Sequence, residues 1–241
     1  MNDIEVRADF IDNYKEYYND EISEWRELGA IDKVQNIIAL SENIQHNKVL
    51  DIGCGDGSVL NLLSKRKFAK ELYGLEISQS GVEQTKKRNI PGLVECKLFS
   101  GYQLPYLDKE FDLVILTHVV EHLEHPRIIL TEALRVAKIV FVEVPLEQTI
   151  SLKKDFVFDH VGHINVYTPK TIRHLIQSCG STIVEQIVIT PSIKVHKYHS
   201  GAKGVLKYFL KKISYFLLPG IATHFFSFYT SLLCVSKENK N

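Results

Sequence analysis

The residues best suited to chemistry are the three alternating glycines of Gly53-Cys54-Gly55-Asp56-Gly57, which follow the apolar run 49–52. Glycines at this spacing, between a strand and a helix, let a ligand approach bare backbone at the carboxyl edge of a sheet. A pyrophosphate-binding loop has the form G-x-G-x-x-G, with backbone N–H groups facing negative charge. Here the third glycine comes one residue early, and the Asp56 carboxylate would repel a diphosphate. We therefore predict a ligand that carries an ammonium and a sulfonium, in preference to a nicotinamide or flavin dinucleotide.

A second acidic residue, Glu76, ends the apolar run 71–75 and lies 25 residues after Asp51. Doubly wound cofactor folds place a carboxylate roughly 20 residues along the chain, at the end of the second strand, where it binds ribose hydroxyls. We expect Glu76 to have this role, with Ile77 beside it.

Three histidines are candidates for proton removal, because imidazole titrates near neutral pH. His118 directly follows the apolar run 111–117, while His160 and His163 lie in the loop-like stretch 145–167. We expect each of them at the carboxyl edge of the sheet, as a catalytic base or as a substrate contact.

His118, His122 and His125 stand four and three residues apart, with Glu121 among them. On one continuous helix this spacing would face one side and could hold a divalent metal. Pro126 instead predicts the start of a helix, with a loop before it. We therefore expect no metal here, and structural hydrogen bonds for His122.

Alternating strand and helix signals define the elements that must position these residues. Such alternation is typical of a parallel sheet covered by helices on both faces. Thr168-Pro169 and Gly180 predict the two ends of a late helix. Strands are predicted near 48–52, 71–77, 93–98, 111–117, 138–144, 182–190 and 229–236.

Residues 49–57 match V-L-D-I-G-C-G-x-G, the first motif of the class I S-adenosylmethionine (SAM)-dependent methyltransferases, at every fixed position. Glu76, Leu104-Pro105-Tyr106 and Glu121-His122-Leu123 agree with later motifs of this family in order and spacing. The chain resembles the small-molecule members, of the type 11 and type 23 kind, over residues 25–190. The resemblance implies an α/β fold with a Rossmann-like, doubly wound, seven-stranded and mostly parallel sheet, helices on both faces and an antiparallel last strand.

The resemblance also implies that SAM is the methyl donor and S-adenosylhomocysteine the product. Asp51 would contact the methionine ammonium, and Arg26 would meet the SAM carboxylate, although a surface salt bridge is equally open for Arg26. Ser100 stands near the place where the family has an acid for the adenine amine. The expected cofactor contacts are Asp51, Gly53, Cys54, Gly55, Glu76, Ile77, Ser100, Gly101, Thr117 and Arg26.

The sequence argues against a nucleic acid as the methyl acceptor. Thr117-His118-Val119-Val120 lacks both the N/D-P-P-Y motif of amino-methylating enzymes and the Pro-Cys of cytosine C5 enzymes. Lys and Arg together equal Asp and Glu at 29 each, so no net field attracts a polyanion. The resemblance favours a small-molecule acceptor methylated on a hydroxyl oxygen. Transfer to nitrogen or carbon, and a non-catalytic SAM-binding or regulatory partner of the same fold, stay open.

We expect a single domain over residues 1–241, whose segment 1–45 forms helices that cover the cofactor and substrate. A basic amphipathic insertion is expected at 196–226. Its lysines share one helical face and its apolar residues the other, which favours packing on the protein's own domain, a lid or a dimer face over membrane contact at 203–218. The protein is expected to be a monomer or a homodimer. The lysine face consists of Lys203, Lys207 and Lys211.

Cysteine usage and hydropathy predict a cytoplasmic protein. The four cysteines form no C-x-x-C motif, and we expect them to be reduced and mostly buried. The acidic N-terminal stretch lacks the apolar segment of a secretory signal, and lysines interrupt the apolar C-terminal region before it reaches 18 residues.

Overall fold

The structure is a computed structural model that describes residue 18 and residues 24–44, 46–99, 102–153 and 162–237. Its strands form one seven-stranded sheet in the described part of the chain. They are β1 (Lys48–Ile52), β2 (Glu71–Glu76), β3 (Leu93–Leu98), β4 (Phe111–Thr117), β5 (Ala137–Leu146), β6 (Ser181–Ile189) and β7 (Phe228–Ser236).

The strand order is β3-β2-β1-β4-β5-β7-β6, and β7 runs antiparallel to both of its neighbours. The other six strands point the same way, as the resemblance implied. The winding reverses between β1 and β4, and such a reversal leaves a crevice at the carboxyl ends of the strands. Any ligand of this fold is therefore expected there.

Helices cover both faces of the sheet. Alternate residues of β4 enter two separate apolar clusters: Val114 and Leu116 join one, and Leu113 and Ile115 join the other. The helices are α1 (Glu24–Ser41), α2 (Ser58–Lys65), α3 (Gln79–Lys87), α4 (Pro126–Val136), α5 (Pro169–Ser178), α6 (Ile193–Leu217) and α7 (Pro219–Phe225), with a 3-10 turn at Val120–His122.

The sequence patterns located these elements well. Each strand lies within two residues of its predicted bounds, and α5 begins with the expected cap, in which Thr168 and Thr171 bond reciprocally. Helix α1 lies within segment 1–45, which we expected to be helical. The part of that segment before Glu24 lies outside the described residues, except residue 18.

Helix α6 consists of two helical pieces that fold back on each other at Ser200-Gly201, where the backbone leaves helical geometry. Gly204 of the second piece lies directly against His196 of the first, and a Cβ at Gly204 would be 1.9 Å from the His196 carbonyl oxygen. Ser192, before the first piece, donates its backbone N–H to Asp32 of α1 at 2.7 Å. These contacts fix the helical hairpin on the domain.

The orientation of α6 is the reverse of the one favoured by the sequence. Lys211 is buried, with Nζ 5.0 Å from the centre of the Phe228 ring and 3.5 Å from His196 Nε2. The apolar side chains at Leu206 and Phe216 are instead 62% and 86% exposed. The apolar face therefore does not pack on the protein's own domain, and a lid, a dimer face or membrane contact stay open among the placements that the sequence allowed. Among the described residues, no helix is both long enough and apolar enough to cross a lipid bilayer.

We expect Gly204→Ala to lower the free energy of unfolding by about 1–3 kcal/mol, because its methyl group has no space against the His196 carbonyl. Urea unfolding followed by circular dichroism measures the change. Gly220→Ala is the matched control, since no atom lies within 4 Å of a Cβ at Gly220. Equal midpoints for the two variants would contradict the packing described for α6.

Candidate active site

A cavity of about 660 Å³ opens at the carboxyl ends of β1, β2, β4 and β5. Helix α1 forms one wall, through Trp25, Arg26 and Lys33 among others. The cavity therefore occupies the crevice that the strand order creates. Several described residues of segment 1–45, which we expected to cover the cofactor and substrate, line this cavity.

The glycine loop presents its backbone to this cavity. Gly53 and Gly55 have φ values of 74° and 57°, a left-handed conformation that glycine adopts without strain. A Cβ at Gly53 would lie 2.6 Å from the side chain of Val119. The Cys54 thiol lies 3.8 Å from that of Cys96, and both residues are buried. The backbone of the loop thus lines the cavity, and the Cys54 side chain packs against Cys96 of β3.

Glu76 fixes the shape of this loop from the end of β2. Its Oε2 accepts the Gly55 N–H at 2.7 Å, and its Oε1 accepts the Ser78 N–H at 2.9 Å. Burial raises the pKa of Glu76, while these backbone donors oppose the rise. Each carboxylate oxygen keeps a second lone pair for ligand hydroxyls.

Asp56 does not attract a cationic ligand, which corrects the sequence interpretation. Arg88 donates from Nη2 to the Asp56 carboxylate at 2.8 Å and from Nε to the Asp56 carbonyl at 2.6 Å. The Ser58 hydroxyl donates to Asp56 Oδ1 at 2.7 Å. Asp56 is neutralised and holds the loop to the end of α3, so attraction for a cation falls to Asp51 and Glu76.

Asp51 is the carboxyl group best placed to receive a positive charge. It is buried at the end of β1, lines the cavity, and its Oδ1 meets no hydrogen-bond donor among the described residues. Burial raises its pKa to about 7, with Glu76 adding to the rise and Lys33 opposing it. A buried polar atom of this kind is costly unless a ligand or water satisfies it.

Of the other residues that we expected to contact the cofactor, three line the cavity and two lie outside the described residues. Arg26, Ile77 and Thr117 line the cavity, and the Arg26 guanidinium lies 4.9 Å from the centre of the Tyr18 ring. Ser100 and Gly101 lie outside the described residues, as does His160.

His118 lies between two buried carboxylates. Its Nδ1 is 3.3 Å from Glu121 Oε1, and its Nε2 is 3.4 Å from Glu143 Oε1. Burial and Lys33 favour the neutral imidazole, but the two carboxylates outweigh them and raise the pKa of His118. The pKa values of Glu121 and Glu143 are lowered in return, although burial acts the other way. Of these three groups, His118 lines the cavity, and the two carboxylates are fully buried behind it.

His163 has the arrangement of a proton acceptor. Its Nδ1 lies 2.7 Å from Glu147 Oε2, and its Nε2 lies 4.0 Å from Glu121 Oε1. A carboxylate on Nδ1 fixes the proton on that nitrogen, which makes Nε2 the basic atom. Both His163 and Glu147 line the cavity.

The described residues bring Glu121, His122 and His163 together, with ligand atoms within 4.8 Å of one another. His122 Nδ1 is held by the Gly162 carbonyl at 3.0 Å. This group differs from the one that the helical spacing suggested, because the exposed His125 lies outside the cavity at the start of α4. Two imidazoles and a carboxylate can bind a divalent ion or pass a proton.

Glu143 and Glu147 are the residues that sequence reasoning missed. Glu143 is fully buried and also accepts hydrogen bonds from Asn36 and Ser231, each at 2.7 Å. An ionisable residue within the otherwise apolar run 139–146 of β5 was the available signal, since buried carboxylates require partners. Tyr229 completes this side, with its ring centre 4.6 Å from that of His118.

The family model described as a methyltransferase domain matches residues 22–186, which is more than half of the chain. This chain belongs to the class I SAM-dependent methyltransferases. The match covers β1 to β5 and most of β6, and thus the carboxyl ends of β1, β2, β4 and β5 at which the cavity opens.

This methyltransferase is similar to several known proteins. The demethylmenaquinone methyltransferase of Thermotoga maritima is 29% identical over 104 residues, which cover 43% of this chain and 44% of the relative. The phthiotriol/phenolphthiotriol dimycocerosates methyltransferase of Mycobacterium tuberculosis is 30% identical over 92 residues, or 38% of this chain and 34% of the relative. The chain spans less than two thirds of the length of such curated relatives.

Among solved structures, geranyl diphosphate C-methyltransferase from Streptomyces coelicolor A3(2) matches with a TM-score of 0.65. The two sequences are 12% identical, and the match covers 95% of this chain and 99% of the other. That structure is a complex with Mg²⁺, geranyl diphosphate and S-adenosyl-L-homocysteine. At this identity the likeness shows that the fold is shared.

We expect His118→Asn to lower the free energy of unfolding by about 3–5 kcal/mol, because it leaves Glu121 and Glu143 buried without their cation. Asparagine tolerates the positive φ of 58° at this position. The carboxyl pKa values of the folded variant then rise above their unfolded values, so its stability falls further between about pH 5 and 8. Urea unfolding across this pH range measures both effects.

The double variant His118→Asn/Glu143→Gln tests the cause, since it removes one of the two unpaired charges. It should recover part of the lost stability and weaken the pH dependence. A single variant whose stability loss does not change with pH would argue against the buried ion pairs.

Proposed function

We propose that this methyltransferase transfers the methyl group of SAM to a hydroxyl oxygen of a small-molecule acceptor, with His163 as the base. The pairing of His163 with Glu147 inside the cavity is the observation that carries the proposal. A hydroxyl becomes a good nucleophile for methyl transfer when a positioned base takes its proton as the new bond forms.

The loop and the two strand-end carboxylates would hold the methyl donor. Asp51 Oδ1 offers a buried acceptor to the methionine ammonium, and Glu76 offers its second lone pairs to the ribose hydroxyls. Arg26, on the cavity wall formed by α1, would pair with the SAM carboxylate. Gly53 and Gly55 would let the loop backbone come close to the cofactor. The sulfonium brings its own leaving group, so the protein has mainly to orient the reactants and accept a proton.

The histidines divide the remaining work. The two carboxylates raise the pKa of His118 and so favour its protonated form, which makes it less suited than His163 to act as the base. We assign it to holding Glu121 and Glu143 in their charged forms. His163 Nε2 would accept the hydroxyl proton, and Glu147 stabilises the resulting imidazolium through Nδ1. His160 keeps its prediction as a substrate contact.

The acceptor is proposed to be an apolar or aromatic molecule that bears the reacting hydroxyl. Several of the residues that line the cavity are large and apolar or aromatic. Two of the curated relatives are named for a demethylmenaquinone and a phthiotriol. Because these acceptors differ from each other, a hydroxyl oxygen as the methylated atom is a proposal. The wall residues are Trp25, Phe99, Tyr102, Leu123, Ile129 and Tyr229.

Two measurements separate this proposal from its alternatives. A non-catalytic SAM-binding protein would bind SAM and S-adenosylhomocysteine yet release no S-adenosylhomocysteine with any hydroxyl, amine or activated-carbon acceptor offered. A metal held by Glu121, His122 and His163 would make turnover sensitive to EDTA and restorable by Mg²⁺ or Zn²⁺. Base catalysis by His163 predicts turnover that EDTA does not change.

We expect the affinity for SAM to depend on the charge of Asp51. Because its pKa is raised to about 7 and the ammonium selects the carboxylate, affinity should fall about tenfold per pH unit below that value and level off above it. Isothermal titration calorimetry across this range measures the dependence. Asp51→Asn should bind more weakly and lose this pH dependence; an unchanged profile in the variant would rule out the contact.

We expect His163→Ala to bind SAM like the parent protein and to reduce kcat by about 10²–10⁴-fold, because only proton removal is lost. Calorimetry with SAM and the rate of S-adenosylhomocysteine release measure the two properties. Glu147→Gln should show a smaller loss in kcat and a shifted pH–rate profile. His174→Ala is the matched control, since this exposed histidine of α5 lies away from the cavity. A His163→Ala variant with parental kcat would remove this residue from the reaction.

A further inference from the structure

The outer surface of α6 and α7 concentrates exposed apolar side chains. Nine of the seventeen large apolar side chains that are exposed in the described part of the chain lie between residues 206 and 225. Scattered exposed apolar residues are ordinary, but a contiguous patch marks an interaction surface. We call this surface the outer face. Its residues are Leu206, Phe209, Leu210, Ile213, Phe216, Leu217, Leu218, Ile221 and Phe225.

The outer face is built at helical spacing. The exposed residues of α6 recur at intervals of three and four positions, which places them on one side of the helix. The opposite side of the same helix carries the buried Gly204, which packs on the first piece of α6, and Lys211, which lies over the Phe228 ring of β7. The hairpin contact of Gly204 with His196 and the burial of Lys211 therefore fix the apolar side outward. Rotating the helix so that the apolar side faced inward would break the contact at Gly204 and would expose Lys211.

Among Lys, Arg, Asp and Glu, the segment that carries the outer face contains only positively charged residues. Residues 191–228 contain six lysines and no acidic residue. At about 100° per residue, Lys203 and Lys207 border the apolar stripe on one side and Lys212 borders it on the other. All three are exposed. An apolar stripe between two rows of lysines fits a surface that is apolar inside and anionic outside.

We propose that the outer face docks on an anionic phospholipid bilayer, with α6 and α7 lying in its interface and the lysines at the headgroups. Apolar burial supplies part of the affinity, and each lysine near the surface adds attraction for anionic lipid. A second copy of this chain would place the lysines of one face against those of the other, which disfavours that occupant.

The outer face is connected to the cavity by the same helix. His199, in the first piece of α6, is exposed and lines the cavity, so it lies at the rim. Docking would therefore hold the cavity close to the bilayer. One consequence rests on the proposed function: the acceptor is then an amphiphile whose hydroxyl enters from the lipid. The docking itself is independent of that reaction and is tested without it.

Co-sedimentation of the full chain with vesicles tests the docking. The bound fraction should be several-fold higher on vesicles of phosphatidylcholine with phosphatidylglycerol than on phosphatidylcholine alone, and it should fall with added salt. Phe216→Gln should weaken binding about tenfold, because it removes one large apolar group from the interface. Leu107→Gln is the matched control, since Leu107 is 77% exposed outside the outer face.

A pair of charge variants tests the role of the lysines at equal net charge. Lys203→Glu/Lys212→Glu should abolish the preference for anionic vesicles, whereas Lys65→Glu/Lys170→Glu, at exposed lysines of α2 and α5, should keep it. Calorimetry with SAM on every variant verifies that the cavity and the fold are intact. It also separates failure of docking from failure of the donor site.

Two results would overturn the proposal. One is the absence of co-sedimentation with either kind of vesicle. The other is a homodimer in light scattering that Phe216→Gln converts to a monomer, which would identify the outer face as a subunit interface.

Discussion

The structure depends on a balance of buried charge at the edge of an apolar sheet. The imidazole of His118 lies within 3.4 Å of carboxylate oxygens from Glu121 and Glu143, beside the apolar runs 113–116 of β4 and 139–142 of β5. None of these groups could stay charged there alone, because the loss of hydration would exceed any single contact. Together they connect the end of β4, the following 3-10 turn and β5.

The balance also separates the cavity into two halves. Near β1 and β2, the glycine loop and Asp51 line the space that suits a charged donor. The Gly55 N–H is bound to Glu76, and Asp56 is already neutralised by Arg88. Near β4 and β5, His163 and Glu147 face apolar walls. In the proposed function this pair accepts the proton, and His118 lies between the neighbouring carboxylates Glu121 and Glu143.

The described C-terminal helices obey a different constraint. Gly204 holds the two pieces of α6 together through close backbone approach, and Lys211 places a cation over the Phe228 ring of β7. Burial lowers the pKa of Lys211 to about 8, so holding this ammonium inside costs free energy. The inward lysine and the outward apolar stripe are one arrangement, and they make this part of the protein an interaction surface.

The sequence by itself determined the sheet, the donor loop and the family. Strands are local apolar runs, and the glycine loop, Asp51 and Glu76 stand at spacings that a strand-turn-helix unit imposes, so one-dimensional patterns carried this information. The partners of each histidine were decided only by the tertiary structure. Glu143 and Glu147 reach His118 and His163 through strand pairing and loop return, which spacing along the chain does not encode.

The direction of α6 was also beyond the sequence. Periodicity shows that a helix has two faces, but which face turns inward depends on the shape of the surface that receives it. Here the close approach at Gly204 and the space beside Phe228 outweigh the ordinary preference for burying the apolar side.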